Sequence, residues 1–167
     1  IQGCIMLKKL RIQNFKGWED TGELRMAPLT VFFGTNSSGK SSILQFLMML
    51  KQTARSPDRN LVLNYGDKNA AVELGSFRDA VHMRSLKRMI EFDITWSLPK
   101  QIEIEDSKHE KIYSGDGIGF HAKIRNYKGL DYLERFEYQL LDKDEEKLAI
   151  GMRSSGSKIS SGKYKVD

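Results

Sequence analysis

The sequence predicts an α/β fold in which a glycine-rich turn joins a buried strand to one long helix, with an antiparallel β region following. Three observations carry this expectation. The run Leu29-Thr30-Val31-Phe32-Phe33 is apolar apart from one threonine and ends at Gly34, the pattern of a central strand buried on both faces. From Lys40 to about Thr53, Ile43, Leu44, Phe46, Leu47, Met48, Met49 and Leu50 cover most of a helical circumference, so that helix is expected to be buried nearly all round. Past Ser56-Pro57-Asp58 the apolar period drops to two.

In chain order, Leu10 and Ile12 alternate with Lys9, Arg11 and Gln13 as in a half-buried strand. Lys16 to Asp20 reads as a turn, and Thr21 to Met26 as a second strand pairing with the first. Pro57 ends the helix, because proline cannot donate to the helical ladder and disfavours helix in the residue before it. Ile90, Phe92, Ile94 and Trp96 then alternate with polar residues, and Ile102 to Glu105 continues after Pro99. The same alternation returns at Ile118 to Ile124 and at Phe136 to Leu140, giving antiparallel strands with one wet face. Asp106 to Glu110 and Asp142 to Lys147 read as charged loops, and Arg153 to Lys165, rich in Ser, Gly and Lys, as a mobile end.

The 167 residues, 40% hydrophobic and 29% charged, suit one globular domain. We divide the chain into 1–5, a leading remnant or misread start; 6–55, strands, glycine-rich loop and helix; 56–152, the mainly antiparallel region; and 153–167, the flexible end. No run reaches the roughly 18 apolar residues that a membrane span requires. The single cysteine, Cys4, permits no internal disulfide, and no Cys/His cluster has metal-ligand spacing, so a cytoplasmic, reducing setting is expected. A net charge of +5 leaves DNA open as a partner. The basic residues are scattered without interleaved aromatics, however, which favours an ordinary solvated surface.

The chemistry lies at Gly34-Thr35-Asn36-Ser37-Ser38-Gly39-Lys40-Ser41, a complete match to G-x-x-x-x-G-K-[ST]. Such a loop between a strand and a helix turns successive main-chain amides and the positive helix end toward an anion. Gly34 and Gly39 permit conformations and close approach that a Cβ would block. Lys40 is the candidate catalytic charge at the β- and γ-phosphates, Ser41 the candidate Mg²⁺ ligand, and the amides of Asn36, Ser37, Ser38, Gly39 and onward to Ser42 the phosphate cradle. The expected ligand is a purine nucleotide, ATP foremost, with Mg²⁺. Hydrolysis also needs an acidic residue after an apolar strand. Tyr138-Gln139-Leu140-Leu141-Asp142 is the nearest approach, but Gln139 interrupts it and it reads as an exposed-face strand ending in a charged turn.

Leu7-Lys8-Lys9-Leu10-Arg11-Ile12-Gln13-Asn14-Phe15-Lys16, followed by Pro28 through Ser42, resembles the amino-terminal lobe of ABC-type ATPases of the RecF, SMC and OLD kind. Leu50-Lys51-Gln52-Thr53 and Glu73-Leu74-Gly75-Ser76-Phe77-Arg78-Asp79 are similar to bacterial AAA-type ATPases of that group, some of which act in phage defence. The resemblance implies a P-loop NTPase head lobe: a mixed sheet around the P-loop helix, flanked by an antiparallel β subdomain. It further implies ATP and Mg²⁺ sandwiched between two head copies, and Lys16 near the nucleotide. A glutamine-bearing sensor loop is also implied, but Gln52 lies too close to the helix and Gln101 in a polar turn. No signature serine-glycine segment leads into an Asp-Glu strand, and Ser154-Ser155-Gly156-Ser157 reads as loop.

The sequence therefore looks like the front portion of a longer ATPase, a nucleotide-driven switch in DNA maintenance or defence. A small P-loop kinase and a non-catalytic nucleotide-binding interaction module are the alternatives.

Overall fold

The computed structural model describes residues 4–106, 110–154 and 164–166. One antiparallel sheet organises the chain, in the order β2 (Trp18–Asp20), β1 (Met6–Phe15), β4 (Ile90–Asp106), β5 (Lys111–Tyr127), β6 (Leu130–Asp142), β7 (Glu145–Ser154), β8 (Tyr164–Val166), with β3 (Leu24–Arg25) also on β1. The alternation in β1 buries Leu10 and Ile12, and the matching positions Ile90, Phe92 and Ile94 of β4 and Ala122 and Ile124 of β5 continue the same apolar face. Each apolar residue thus meets apolar neighbours across the strands, which is what stabilises a sheet face.

Helix α1 (Lys40–Arg55) lies against this face. Phe46 sits between Phe15 and Phe92 with ring centroids 5.1 Å from each, edge to face, the arrangement aromatic quadrupoles favour. Ile43, Phe46 and Met49 are buried, but Leu44 and Met48 reach solvent. The expectation of a helix buried nearly all round is therefore corrected: one stripe is covered, because the sheet packs against a single side.

A larger correction concerns Leu29 to Phe33. The segment has no strand partner among the described residues, and Leu29, Val31 and Phe33 are 82%, 58% and 90% exposed. Only Phe32 leans on the core. The apolar run was expected to form a central strand; here the neighbouring strands are spent on β1, and every described ladder is antiparallel. The expected mixed sheet is thus not formed by the described residues.

The expected pairing of the first two strands is present at Leu10↔Leu24. The turn is shorter than expected, though, since Trp18 to Asp20 are already strand and only Lys16 and Gly17 bend. Ile90 to Glu105 is one strand with an irregularity between Ser97 and Ile102, where Pro99 falls. Glu145 to Lys147, expected in a charged loop, and Arg153 and Ser154, expected in the mobile end, are instead the two ends of the strand β7. Of the loop expected at Ser154 to Ser157, Ser154 closes β7 and the other three lie outside the described residues. The same holds for most of the expected mobile end, apart from β8.

Between helix and sheet, residues 56–76 are irregular but tied down. Gln52 donates from Nε2 to the carbonyls of Asn64 and Val72 at 2.7 and 3.1 Å and accepts the Val72 N–H at 3.3 Å. Thr53 Oγ1 accepts the Asn64 N–H. Burying Leu63, Val72 and Leu74 with their backbone attached requires such acceptors and donors. Tyr65 donates to Asp131 at 2.7 Å, joining this segment to β6.

Candidate nucleotide-binding site

The Gly34–Ser41 loop lies at the amino end of α1 and is open to solvent. Its shape follows from three residues in left-handed conformations: Gly34 at φ 150°, Ser37 at 65° and Gly39 at 88°. Gly34 is also crowded, because a Cβ there would stand 3.0 Å from Ser38 Oγ. The helix that follows has no side-chain cap and no acidic residue in its first turn. Its leading amides, which have no acceptor within the helix, therefore keep their positive end unopposed.

Lys40 folds back over the loop. Its Nζ donates to the carbonyls of Gly34 at 2.7 Å and Thr35 at 2.5 Å, and to Ser38 Oγ at 3.3 Å. These oxygens are neutral acceptors, and charged phosphate oxygens are stronger acceptors for an ammonium. Within the loop, Ser38 N donates to Thr35 O and Ser42 N to Gly39 O; the amides of Asn36, Ser37 and Gly39 have no partner among the described residues. A glycine-built cradle, unpaired donors and a lysine held at its mouth fit a phosphate group. Ser41 is exposed at the helix start, as a hydroxyl that meets a phosphate-bound Mg²⁺ must be. The described residues hold no cluster of three or more His, Cys, Asp or Glu that could bind a metal.

Lys16 sits in the β1–β2 turn at φ 48°. Its N–H donates to Ala80 O at 2.7 Å, and its carbonyl accepts from His82 Nδ1 at 2.8 Å, which places the imidazole proton on that nitrogen. The Lys16 ammonium has no described partner. Next to it, Asn14 donates to Met89 O and accepts from Arg88, which also pairs with Glu19 at 2.7 Å. The turn is thus fixed on its backbone while its cation stays available.

Sequence reasoning missed Trp18, whose indole N–H donates to Gly39 O at 3.0 Å. The available signal was a large aromatic in an otherwise polar turn, which has to cover its ring against something. His82 and Arg88 were missed as well, since a lone polar residue carries no pattern. Gln52 is structural, as its three bonds to the loop backbone show, and Gln101 is exposed on β4. Asp142 faces Glu145 across the β6–β7 turn, consistent with the charged-turn reading. On the sheet, Arg11–Asp20, Lys123–Glu91, Arg125–Glu134 and Arg135–Glu137 are paired, so these four basic residues are matched by carboxylates.

No described helix is long and apolar enough to cross a membrane. Comparison with known proteins places the chain among ATPases. The DNA replication and repair protein RecF of Leptospira biflexa serovar Patoc, in its Ames and Paris strains, is 24% identical over 122 residues, covering 72% of this chain. The chain spans 32% of the length of those relatives. The resemblance to the RecF-like group is thereby supported over a stretch much longer than the phosphate loop. Residues 6–160 match the family described as AAA ATPase domain, and with nearly the whole sequence inside that match, the chain belongs to this family of P-loop ATPases.

Proposed function

We propose that this chain is the ATP-binding lobe of a longer ATPase, a nucleotide-driven switch in DNA maintenance or phage defence. One observation carries the reading: Lys40 Nζ lies on the loop carbonyls at the uncapped start of α1, with free amides beneath it. In this proposal Lys40 leaves those carbonyls for the β- and γ-phosphates, the amides between Asn36 and Ser42 hold the phosphate oxygens, those of Ser38 and Ser42 only by giving up their bonds to Thr35 and Gly39, and Lys16 adds a second cation from the β1–β2 turn. Mg²⁺ beside Ser41, when bound, supplies neutralisation of the phosphate charge.

The exposed side chains of Leu29, Val31 and Phe33 support a longer protein, since a cluster of exposed apolar side chains is normally covered. We assign that cover to a further part of the same polypeptide, with a second head closing over the nucleotide. The name of the RecF relatives favours a role at DNA. A small kinase would alternate helices with parallel strands, which the antiparallel ladders do not support.

Calorimetry with Mg-ATP and with a non-hydrolysable analogue tests this. Both are expected to bind the chain alike, and Lys40→Ala to weaken both at least about tenfold, or about 1.4 kcal/mol. Affinity indifferent to Lys40→Ala would refute the site. Rapid multiple turnover by this chain would refute its dependence on a second lobe.

A further inference from the structure

Trp18 stands where the β1–β2 turn meets the phosphate loop. Its indole N–H donates to the Gly39 carbonyl at 3.0 Å, and the Ser42 N–H donates to the same oxygen at 3.0 Å. Contact is close on the glycine itself, because a Cβ at Gly39 would fall 2.6 Å from Trp18 Nε1 and 2.9 Å from Cε2. The ring is anchored from behind. Trp18 pairs in register with Phe15, whose ring is fully buried, and packs on the core. The turn between them is bonded to Ala80 and His82.

The carbonyl of Gly39 and the N–H of Lys40 belong to one planar trans peptide and point in opposite directions. Holding the oxygen against the indole therefore aims the Lys40 N–H away from it, into the loop. Glycine at φ 88° is the residue most free to let this peptide rotate, and a rotated peptide would present an oxygen to the incoming phosphate in place of a donor. Resting on the phosphate-loop reading above, we propose that Trp18 is a positioning residue that locks the Gly39–Lys40 peptide in its phosphate-binding orientation.

The test uses the chain with Trp96→Phe, which leaves Trp18 as the remaining tryptophan of two. Its emission is followed while Mg-ATP, inorganic pyrophosphate with Mg²⁺, or adenosine is added, with calorimetry run in parallel. ATP and pyrophosphate are expected to shift the emission and adenosine to leave it unchanged, because the effect passes through the loop. Trp18→Phe, which keeps an aromatic ring but loses the donor, is expected to weaken ATP and pyrophosphate about three- to tenfold, the scale of one hydrogen bond. Circular dichroism of that variant should match the parent.

Unchanged affinity in Trp18→Phe overturns the proposal while leaving the phosphate site intact. A response to ATP and adenosine but not to bound pyrophosphate also overturns it, since the indole would then be meeting the base. If the parent chain shows no Lys40-dependent binding, the site reading itself fails and this proposal with it.

Discussion

Gly39→Ala is the substitution for which the structure supplies a magnitude. At φ 88° an L-residue pays about 1–2 kcal/mol for the left-handed conformation. The new Cβ also meets the indole at 2.6 and 2.9 Å. These are atoms of a rigid ring, so the ring has to shift. Displacing it costs the indole bond, about 1 kcal/mol, and an overpacking penalty of about 1 kcal/mol at the low end. The sum is about 3–4 kcal/mol. Gly22→Ala is the control, since Gly22 has φ 64° with nothing within 4 Å of a Cβ, and it should cost only the conformational part, about 1–2 kcal/mol. Urea denaturation reads the difference: at a slope of about 2 kcal/mol/M, Gly39→Ala should lower the midpoint by about 1.5–2 M and Gly22→Ala by less than about 1 M. Placing Gly39→Ala in a Trp18→Leu background should bring its cost down toward that of Gly22→Ala. Equal costs for the two glycines in the parent chain would refute the claim that Trp18 bears on the loop.

Three further outcomes follow from other parts of the fold. Tyr65→Phe removes the hydroxyl that donates to Asp131; burial, then the Asp131 charge, pushes that phenol well above its ordinary range. The loss should be about 1.5–3 kcal/mol in urea unfolding, with an unchanged slope. Gln52→Ala strips three bonds from the Asn64–Val72 segment and should cost about 2 kcal/mol, with the Val72 amide losing protection in hydrogen exchange. His121 Nδ1–H donates to Asp93 Oδ1 at 2.8 Å, and that bond raises its imidazole above the ordinary value of 6.5, against partial burial and the Arg135 charge and with help from Glu91. A raised folded value means stability that is fully present below about pH 6.5 and is lost as pH rises through the folded value. Urea midpoints should therefore fall between pH 6 and pH 8.5, and His121→Gln should flatten that dependence.

Legibility in the sequence followed the range of the interactions. The alternation at Ile90 to Trp96 and Ile118 to Ile124 named the buried face correctly, because period two is a local consequence of strand geometry. The glycine-rich turn into α1 was readable for a similar reason, as its glycines and lysine act within eight residues. Leu29 to Phe33 misled because burial depends on what else is present to cover a strand, and composition cannot report that. β7 was hidden by Glu145, Glu146 and Lys147, charged residues at the start of a strand that shows their side chains to water. Trp18 stood out as an aromatic in a polar turn, but its contact was not legible since its partner lies 21 positions away.

The unpaired stretch with Leu29, Val31 and Phe33 exposed also has a practical side. Unclaimed amides beside greasy side chains invite a second molecule to add its own strand there. Protein concentration then becomes an experimental variable: light scattering over a dilution series should show self-association, and Val31→Lys should suppress it. Titrations of nucleotide are best interpreted at concentrations below that onset, where each loop reports on one chain.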